Sequence, residues 1–576
     1  MQTVNQRLVP NWVRHYARGN LAADIIAGLV VGVLVIPQSL GYAVLAGLPP
    51  VYGLYASIVP VIVYAWVGSS NVQAVGAVAI TAIMTASSLH TFAEAGSAQY
   101  IMMASLLAIM MGTMLWVAGL LKLGWIMQFI SRGVSAGFVS GAAVLIFVSQ
   151  LKYLTGVKVS GNTLWQYLDS FIQHLSMINI PTLVIGLTAL ALFLLNRYGA
   201  RWLWATWLPT AKAKWASRLF PLLLVLVAIA GSVFGHWASL GVETIGQVPN
   251  GLPSFKVPLP TPLPPLPEVM QLLPTAALMA LIAFVSSSSV ASTYARVRGE
   301  RFIPNEELKG LGLANIVGGF FQSFPVAGGF SRTAINVDSG AKTPLASVIT
   351  LLVMVAALLV LGNAIAPLPY ALLGAMIMAS IISLIDVGTF KLAWRTDCID
   401  ALSFAAAFFG VLAFGLNTGL VIGIITSFAG LIWQSSQPHI AVVGQLAGTS
   451  HFRNINRHDV ITYHNLVLIR IDESLFFGNS QSVYERIQTA LAQYPDASEL
   501  VLIMAAVNHI DLSAQEMLVN LNEALMSQDK RLHFTFIKGP VMDVIEQTPV
   551  IEKLSGQVFL STMDAVKVLT SDKPTF

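Results

Sequence analysis

Two long stretches of this chain carry no charge: none occurs from Thr343 to Ile385 or from Ala401 to Ser436. Soluble domains place charged residues at about a quarter of their positions, so runs like these belong inside a bilayer. There a spanning helix needs about 20 apolar residues. The whole chain agrees, with 576 residues, 56% of them hydrophobic and 10% charged. This composition excludes a soluble enzyme, a disordered chain and a disulfide scaffold. The single cysteine, Cys398, allows no internal disulfide and no zinc site built on several thiolates. No metal, cofactor or enzymatic cluster is expected.

The charges divide the chain in two. Residues 1–436 hold 21 Lys/Arg and 12 Asp/Glu, a net of +9, and residues 437–576 hold 10 and 15, a net of −5. The overall +4 averages a membrane part and an acidic soluble tail, and it does not point to nucleic acid. The expected organisation is a short polar segment over 1–20, a membrane domain over 21–436 and a soluble domain over 437–576. No cleavable signal is expected, because the N-terminus is polar and carries Arg7, Arg14 and Arg18.

At about 30 residues per span with its connection, the membrane part has room for roughly 14 spans. They are placed at 21–46, 52–68, 74–89, 100–121, 126–151, 178–196, 218–238, 270–294, 305–322, 329–341, 344–362, 370–386, 399–414 and 418–435. An even number puts both ends on one side. With cytoplasmic termini the inner segments take Arg7, Arg14, Arg18, Arg197, Arg201, Lys212, Lys214, Arg218, Arg296, Arg298, Arg301, Lys391 and Arg395. The outer loops take Lys152, Lys158 and Lys256, as the positive-inside rule asks. Trp202, Trp204, Trp207 and Trp215 then fall at the inner interface. The proline-rich run 249–267 cannot be helical and separates two seven-span halves, about 21–238 and 270–435.

The halves read as inverted repeats, since seven is odd. Each opens on a long span and has a short third member after glycine: Gly76 before Ala77-Val78, and Gly328-Gly329 before Phe330-Ser331-Arg332. Paired short helices in inverted repeats mark the substrate site of a transporter. Their free N–H groups favour an anion. The bland reading is close helix packing through small residues.

The run Ile36-Pro37-Gln38-Ser39-Leu40-Gly41-Tyr42-Ala43, continuing to Gly53-Leu54-Tyr55, resembles the first-span signature of the SulP anion permeases. That family includes sulfate transporters and prestin- and pendrin-type exchangers. A second block agrees: Asn305-Glu306-Glu307-Leu308, Gly310-Leu311-Gly312-Leu313-Ala314-Asn315, Phe330-Ser331-Arg332-Thr333-Ala334 and Gly340-Ala341-Lys342-Thr343-Pro344. The resemblance covers essentially the whole chain. It implies 14 spans in two inverted repeats, arranged as core and gate domains, with a cytoplasmic STAS domain. The anion would lie between the N-termini of spans 3 and 10. Gln38 and Tyr42 match pocket-facing positions of span 1, Ala77 and Val78 the start of span 3, and Ser331 and Arg332 the start of span 10.

Arg332 is the leading candidate, because a guanidinium in the membrane is costly and offers up to five donors to an oxyanion. Its competing role is a structural clamp on Asp338 or another carboxylate. This sequence departs from the family at Asn71, which follows Gly68-Ser69-Ser70 where Lys or Arg is common. It departs again in span 8, where Ser286 stands at the position of an acid linked to cation coupling. A serine cannot carry a proton at physiological pH. Ser286 is the serine of Ser286–Ser289 expected to reach the pocket, and at least two of the four are expected only to satisfy helix carbonyls or pack against a neighbour.

In the tail, Leu466–Ile471 and Leu500–Met504 read as buried strands, and Ser482–Gln493 and Ser513–Ser527 as amphipathic helices. The loop Asn508–Ala514 resembles STAS domains. Ser513 falls at the position phosphorylated in anti-sigma antagonist relatives, which in transporters serves as a helix N-cap. His509 is read as a loop residue.

The leading expectation is a multi-pass inner (plasma) membrane transporter of a small inorganic anion, foremost sulfate, working by an elevator-like movement. It would assemble as a homodimer, with the STAS domain open to a cytoplasmic partner. Bicarbonate, chloride or a dicarboxylate are the alternative substrates. A nucleobase symporter would want carboxylates where Ser286 and Arg332 stand, and a non-transporting membrane sensor leaves the pocket residues without a use. The charge distribution makes one direct prediction. A cysteine placed at Gly251 should react with an impermeant thiol reagent from outside intact cells, and one at Gln437 should not. The reverse labelling would overturn the topology.

Overall fold

The computed structural model describes residues 10–129, 131–157, 159, 161–205, 210–246, 251–258, 270–360 and 364–570. Contacts divide the chain into two units, Met1–Ser427 and Phe428–Phe576. Lys158, Trp207 and most of the proline-rich run lie outside the described residues.

The first unit is helical. Its principal helices are α1 (Leu21–Leu45), α2 (Val59–Val67), α3 (Ala79–Leu89), α4 (Ala98–Leu120), α5 (Arg132–Ser149), α6 (Ile180–Ala205) and α7 (Thr210–Phe234). They continue with α8 (Leu273–Arg298), α9 (Pro304–Phe320), α10 (Phe330–Asp338), α11 (Leu345–Val360), α12 (Tyr370–Ile381), α13 (Cys398–Phe414) and α14 (Leu416–Ser436), whose second half falls in the other unit. Among the described residues, six helices are long and apolar enough to cross a membrane: Arg18–Leu45, Ala98–Leu120, Arg132–Thr155, Ile180–Gly199, Leu273–Arg298 and Leu416–Ser436. Shorter apolar helices, such as Val51–Val67, Leu345–Val360 and Cys398–Phe414, stand beside them. Leu29, Trp66, Leu352, Phe409 and Ile425 stay exposed. A water-facing surface would not carry so many large apolar side chains, whereas lipid accepts them. The chain is a polytopic α-helical membrane protein.

The helices meet through small residues, which is how backbones approach closely where lipid offers no hydrophobic driving force. At Gly28 of α1 a β-carbon would sit 2.5 Å from the Ala346 carbonyl oxygen, and at Gly112 of α4 one would sit 2.7 Å from the Gly312 oxygen of α9. Asp24, in the first turn of α1, is fully buried and accepts from the Lys342 N–H at 2.7 Å, the Thr343 N–H at 3.0 Å and the Thr343 hydroxyl at 2.7 Å. With the Tyr16 hydroxyl at 3.1 Å, this carboxylate pins the entrance of α11 to α1.

Two differences from the sequence reading have local causes. The stretch taken as one span over 52–68 is interrupted: Val51–Tyr55 is followed by a turn before α2. Two amphipathic helices, Leu164–Gln173 and Val387–Thr396, occupy segments read as connections. The second is capped by Asp386, which accepts the Thr389 N–H at 2.9 Å. Its exposed Val387, Leu392 and Trp394 sit beside exposed or half-buried cations, a composition suited to lying in a membrane interface.

The second unit holds a mixed sheet of β3 (Ile440–Gln445), β4 (Phe452–Asn454), β5 (Leu466–Ile471), β6 (Glu499–Ile503), β7 (Arg531–Thr535) and β8 (Val558–Phe559), ordered β4-β3-β5-β6-β7-β8. The strands β5 to β8 run parallel, and β6 is buried along its whole length, as a strand covered on both faces must be. Helices Ser480–Leu491, Leu512–Met526, Gly539–Ile545 and Thr562–Leu569 surround it. Ser513 does not cap its helix. Asp511 is the N-cap, accepting the Ala514 N–H at 3.0 Å, and Ser513 is an exposed second residue. The sequence reading missed this because Asp511 and Ser513 are both capping residue types two positions apart.

Within the sheet Glu499 Oε2 lies 2.7 Å from His533 Nε2, and Arg531 pairs with the same carboxyl group. Burial pushes the His533 pKa below the usual histidine value, outweighing the pull of Glu499. The unfolded chain therefore binds more protons than the folded domain just below about pH 6.5. Stability is full above that pH and falls as pH drops through it. Amide exchange in β6 and β7 should accelerate beyond its intrinsic pH dependence when pH is lowered from about 7.5 to 5.5. His533→Gln should remove that acceleration.

Candidate functional site

At the heart of the first unit two helices begin inside the protein. The strands β1 (Val75–Gly76) and β2 (Ala327–Gly328) pair antiparallel, Val75 opposite Gly328 and Gly76 opposite Ala327. Immediately after them start α3, of 11 residues, and α10, of 9. At 1.5 Å per residue they are about 16 and 14 Å long, half of the hydrocarbon thickness. Neither start has a side-chain cap: Val78 and Gly329 stand at the N-cap positions. The N–H groups of two first turns, and the positive ends of two helix dipoles, are thus left to a ligand.

The chain can stop a helix here only because the broken backbone is satisfied locally. The Gly329 N–H donates to the Ala74 carbonyl at 3.0 Å. The Ala74 N–H donates to Thr333 Oγ1 at 3.0 Å, and the Gly328 N–H to Ser287 Oγ at 2.7 Å. Asn336 donates to the Val72 carbonyl at 2.8 Å, and Asn315 accepts the Val326 N–H at 2.8 Å.

Arg332, one turn into α10, is only 3% exposed. Its Nε donates to Gln38 Oε1 and its Nη2 to Ser39 Oγ, each at 3.3 Å. Gln38 Nε2 in turn donates to the Tyr42 hydroxyl at 2.8 Å, and the guanidinium carbon lies 5.8 Å from the centre of the Tyr42 ring. Among the described residues Arg332 forms no ion pair, with Asp338 or any other acid. The clamp reading therefore lacks its partner. A buried, doubly long-bonded cation at two positive helix ends can bind and orient an anion.

The structure brings together Gln38, Tyr42 and Arg332 of the expected set, with the buried Ala77 and half-buried Val78 at the start of α3. Ser331 lies in the first turn of α10; its side chain falls outside the described residues. Among the described residues Ser286 makes no hydrogen bond to the guanidinium; its hydroxyl donates to the Ala283 carbonyl at 3.3 Å. Its neighbour Ser287 is the serine that meets the crossing. Sequence reasoning missed Ser39, though helical spacing puts it beside Gln38 and Tyr42 on α1. It also missed Ser57, 2.9 Å from Ser39, for which no sequence signal existed. The cavity adjoining Arg332, lined by Val35, Ser57, Val75 and Asn336 among others, is about 10 Å³, room for about one water. The larger space, about 370 Å³, lies beyond the end of α1 between Gly47, Lys152, Tyr153 and Tyr370.

Comparison with known proteins agrees with this architecture. The sulfate permease family matches residues 21–407 and the STAS domain residues 457–565. The chain is 32% identical to "Sulfate transporter 4.1, chloroplastic" of Arabidopsis thaliana, over 97% of this chain and 81% of that protein. It is 30% identical to "Probable sulfate transporter Rv1739c" of Mycobacterium tuberculosis (strain ATCC 25618 / H37Rv), over 96% of both. Its fold is similar to that of the murine Slc26a9 anion transporter in the inward-facing state. There the TM-score is 0.87 at 22% identity, covering 99% of this chain and 95% of that one.

The crossing has one steric requirement open to test. A β-carbon at Gly76 would sit 2.4 Å from Arg332 Nη1. That atom ends a flexible side chain, but Gly76 also stands at φ 156°, where any side chain strains the backbone, so Gly76→Ala should displace the guanidinium and lower stability without preventing folding. Overpacking of this kind costs about 1–3 kcal/mol. The stabilisation that sulfate gives against heat should therefore weaken about tenfold or more in apparent affinity, while monodispersity in detergent is kept. Unchanged affinity would place the anion away from this guanidinium.

Proposed function

This chain belongs to the sulfate permease family, and we propose that it is a secondary active transporter of an inorganic anion, sulfate foremost. The observation that carries the proposal is Arg332, a buried cation with no counter-ion among the described residues, at the uncapped starts of two half-helices. The names of relatives about a third identical over nearly the whole chain support sulfate.

In this reading the helices α1 to α14 are 14 spans in two inverted repeats, about 21–238 and 270–435. The STAS domain at 437–576 and the N-terminus face the cytoplasm of a plasma (inner) membrane. The substrate is held by Arg332, Gln38, Tyr42 and Ser331, with the first N–H groups of α3 behind Ala77 and Val78. Ser286 of α8 is assigned to the site as part of the same reading. Admission and release of the anion are assigned to a movement of the core against the gate, in the manner of an elevator. Assembly as a homodimer, and Ser513 as a regulatory position of the STAS domain, complete the proposal; cross-linking in membranes and phosphopeptide mapping test them.

The deciding experiment is uptake of labelled sulfate into liposomes, with bicarbonate, chloride and dicarboxylates as competitors. Truncating one partner of a buried charge interaction costs about 2–5 kcal/mol, so Arg332→Ala should nearly abolish binding at micromolar sulfate. Arg332→Lys should restore only part, because a point charge replaces a planar fork. Gln38→Ala removes neutral hydrogen bonds worth about 0.5–1.5 kcal/mol each and should be milder. Wild-type affinity in Arg332→Ala would sink the assignment, and stronger competition by bicarbonate than by sulfate itself would move the substrate to that alternative.

A further inference from the structure

We propose that Glu307 is a proton-carrying carboxyl group, and that its proton is coupled to occupation of the anion site; this rests on the transport reading above. Glu307 stands in the first turn of α9 with no exposure to solvent. Tyr64 and Ser69 both donate to its Oε2, each at 2.6 Å. Its Oε1 has no partner among the described residues. Burial without a paired cation favours the neutral acid, whereas two hydroxyl donors and the N-terminal end of a helix favour the carboxylate. A carboxyl group held between those opposing effects can gain and lose a proton. Asp24, with four donors around it, has no such freedom.

Glu307 connects in two directions. Outward, Ser69 is half-buried in the turn after α2, and two residues on Asn71 donates to Glu300 at 3.1 Å. Inward, the Tyr64 hydroxyl is 3.2 Å from Gln73 Oε1. One hydroxyl hydrogen serves Gln73 or Glu307, not both fully, so the charge of Glu307 decides which. The Gln73 Nε2, itself without a partner, lies against Gly328, where a β-carbon would be 1.8 Å away. Arg332 Nη1 lies against Gly76. Gly328 pairs with Val75 and Gly76 with Ala327, and successive residues of a strand present opposite faces. The relay from Glu307 and the anion-binding guanidinium thus meet the two faces of one ladder.

No other ionisable group takes this role. The helix α2 contributes Tyr64, and the turn after it carries no charge. The α4 helix has only Tyr100, whose hydroxyl donates to the Ala46 carbonyl at 2.7 Å. The end of α8 carries Tyr294, Arg296 and Arg298; Arg298 pairs with Glu300 at 2.8 Å. On α9 itself Glu306 and Lys309 pair with each other at 3.0 Å.

An anion at Arg332 and a carboxylate at Glu307 repel, so each makes the other's protonated or vacant state more favourable. By linkage the effect is reciprocal: a proton on Glu307 tightens the anion, and the anion tightens the proton. Release breaks the carboxyl O–H bond and passes the proton to water at Ser69; uptake reverses the step.

The test uses the full chain in liposomes, labelled sulfate, a luminal pH dye and a potential clamped by potassium and an ionophore. Sulfate should carry protons with it. A one-unit inward-directed proton gradient should raise steady-state accumulation about tenfold per coupled proton. Glu307→Gln should keep sulfate–sulfate exchange within about twofold while gradient-driven accumulation is lost. The relay variant Tyr64→Phe should reduce that accumulation severalfold, and it decides the matter if Glu307→Gln fails to fold. Full accumulation in the folded Glu307→Gln, or in Tyr64→Phe when it must decide, overturns the proposal. Net wild-type sulfate uptake without proton movement overturns it while leaving transport standing; no wild-type uptake or exchange at all removes both.

Discussion

The four-residue ladder of Val75–Gly76 with Ala327–Gly328 is the interaction on which the membrane part depends. A bilayer interior supplies no water for unpaired N–H and C=O groups, so a helix can stop there only where protein satisfies the break. Here the ladder does so together with Thr333, Ser287, Asn336 and Asn315. The same constraint explains the glycines. At Gly76 and Gly328 a β-carbon would collide with the Arg332 and Gln73 side chains, so those side chains can lie against the ladder only if the two positions are bare. The uncapped first turns of α3 and α10 keep free N–H groups, to which an anion is the complementary ligand.

Three buried charges in this unit differ in how completely they are satisfied, and the difference separates structure from function. Asp24 has four donors and ties α1 to the entrance of α11. Arg332 has two hydrogen bonds at 3.3 Å and, among the described residues, no counter-ion. Glu307 has one oxygen fully engaged and one idle. An uncompensated charge in low dielectric is expensive, and a protein that only needed packing at positions 307 and 332 would do better with apolar residues. Incomplete satisfaction is therefore the physical mark of a group that waits for a ligand or a proton.

Much of this was legible in the chain itself. The charge-free runs required a membrane, the change in composition near Pro438 required a second domain, and the two glycine-preceded short segments located the crossing. Gln38, Tyr42 and Arg332 were readable because they sit in two long blocks of family resemblance. The reading fell short where several residues of the right type stood together. Among four serines it singled out Ser286 and did not foresee that the rotation of α8 puts Ser287 at the ladder. Between Asp511 and Ser513 it gave the cap to the serine, and backbone geometry gives it to the aspartate. Nothing in sequence distance joins Ser57 to Ser39, or Tyr64 and Gln73 to Glu307.

By itself, then, the sequence determined the class of the protein: a basic, multiply spanning helical part with two broken helices, and an acidic α/β tail. Those properties follow from hydropathy, charge and the conformational limits of glycine and proline, all of which act locally. Tertiary structure alone decided which polar side chains share an interior. Helix rotation and the pairing of residues some 250 positions apart choose them, and neither is encoded in a window of neighbouring residues. The idle oxygen of Glu307 and the missing counter-ion of Arg332 are properties of that packing, because satisfaction of a buried group depends on every element that surrounds it.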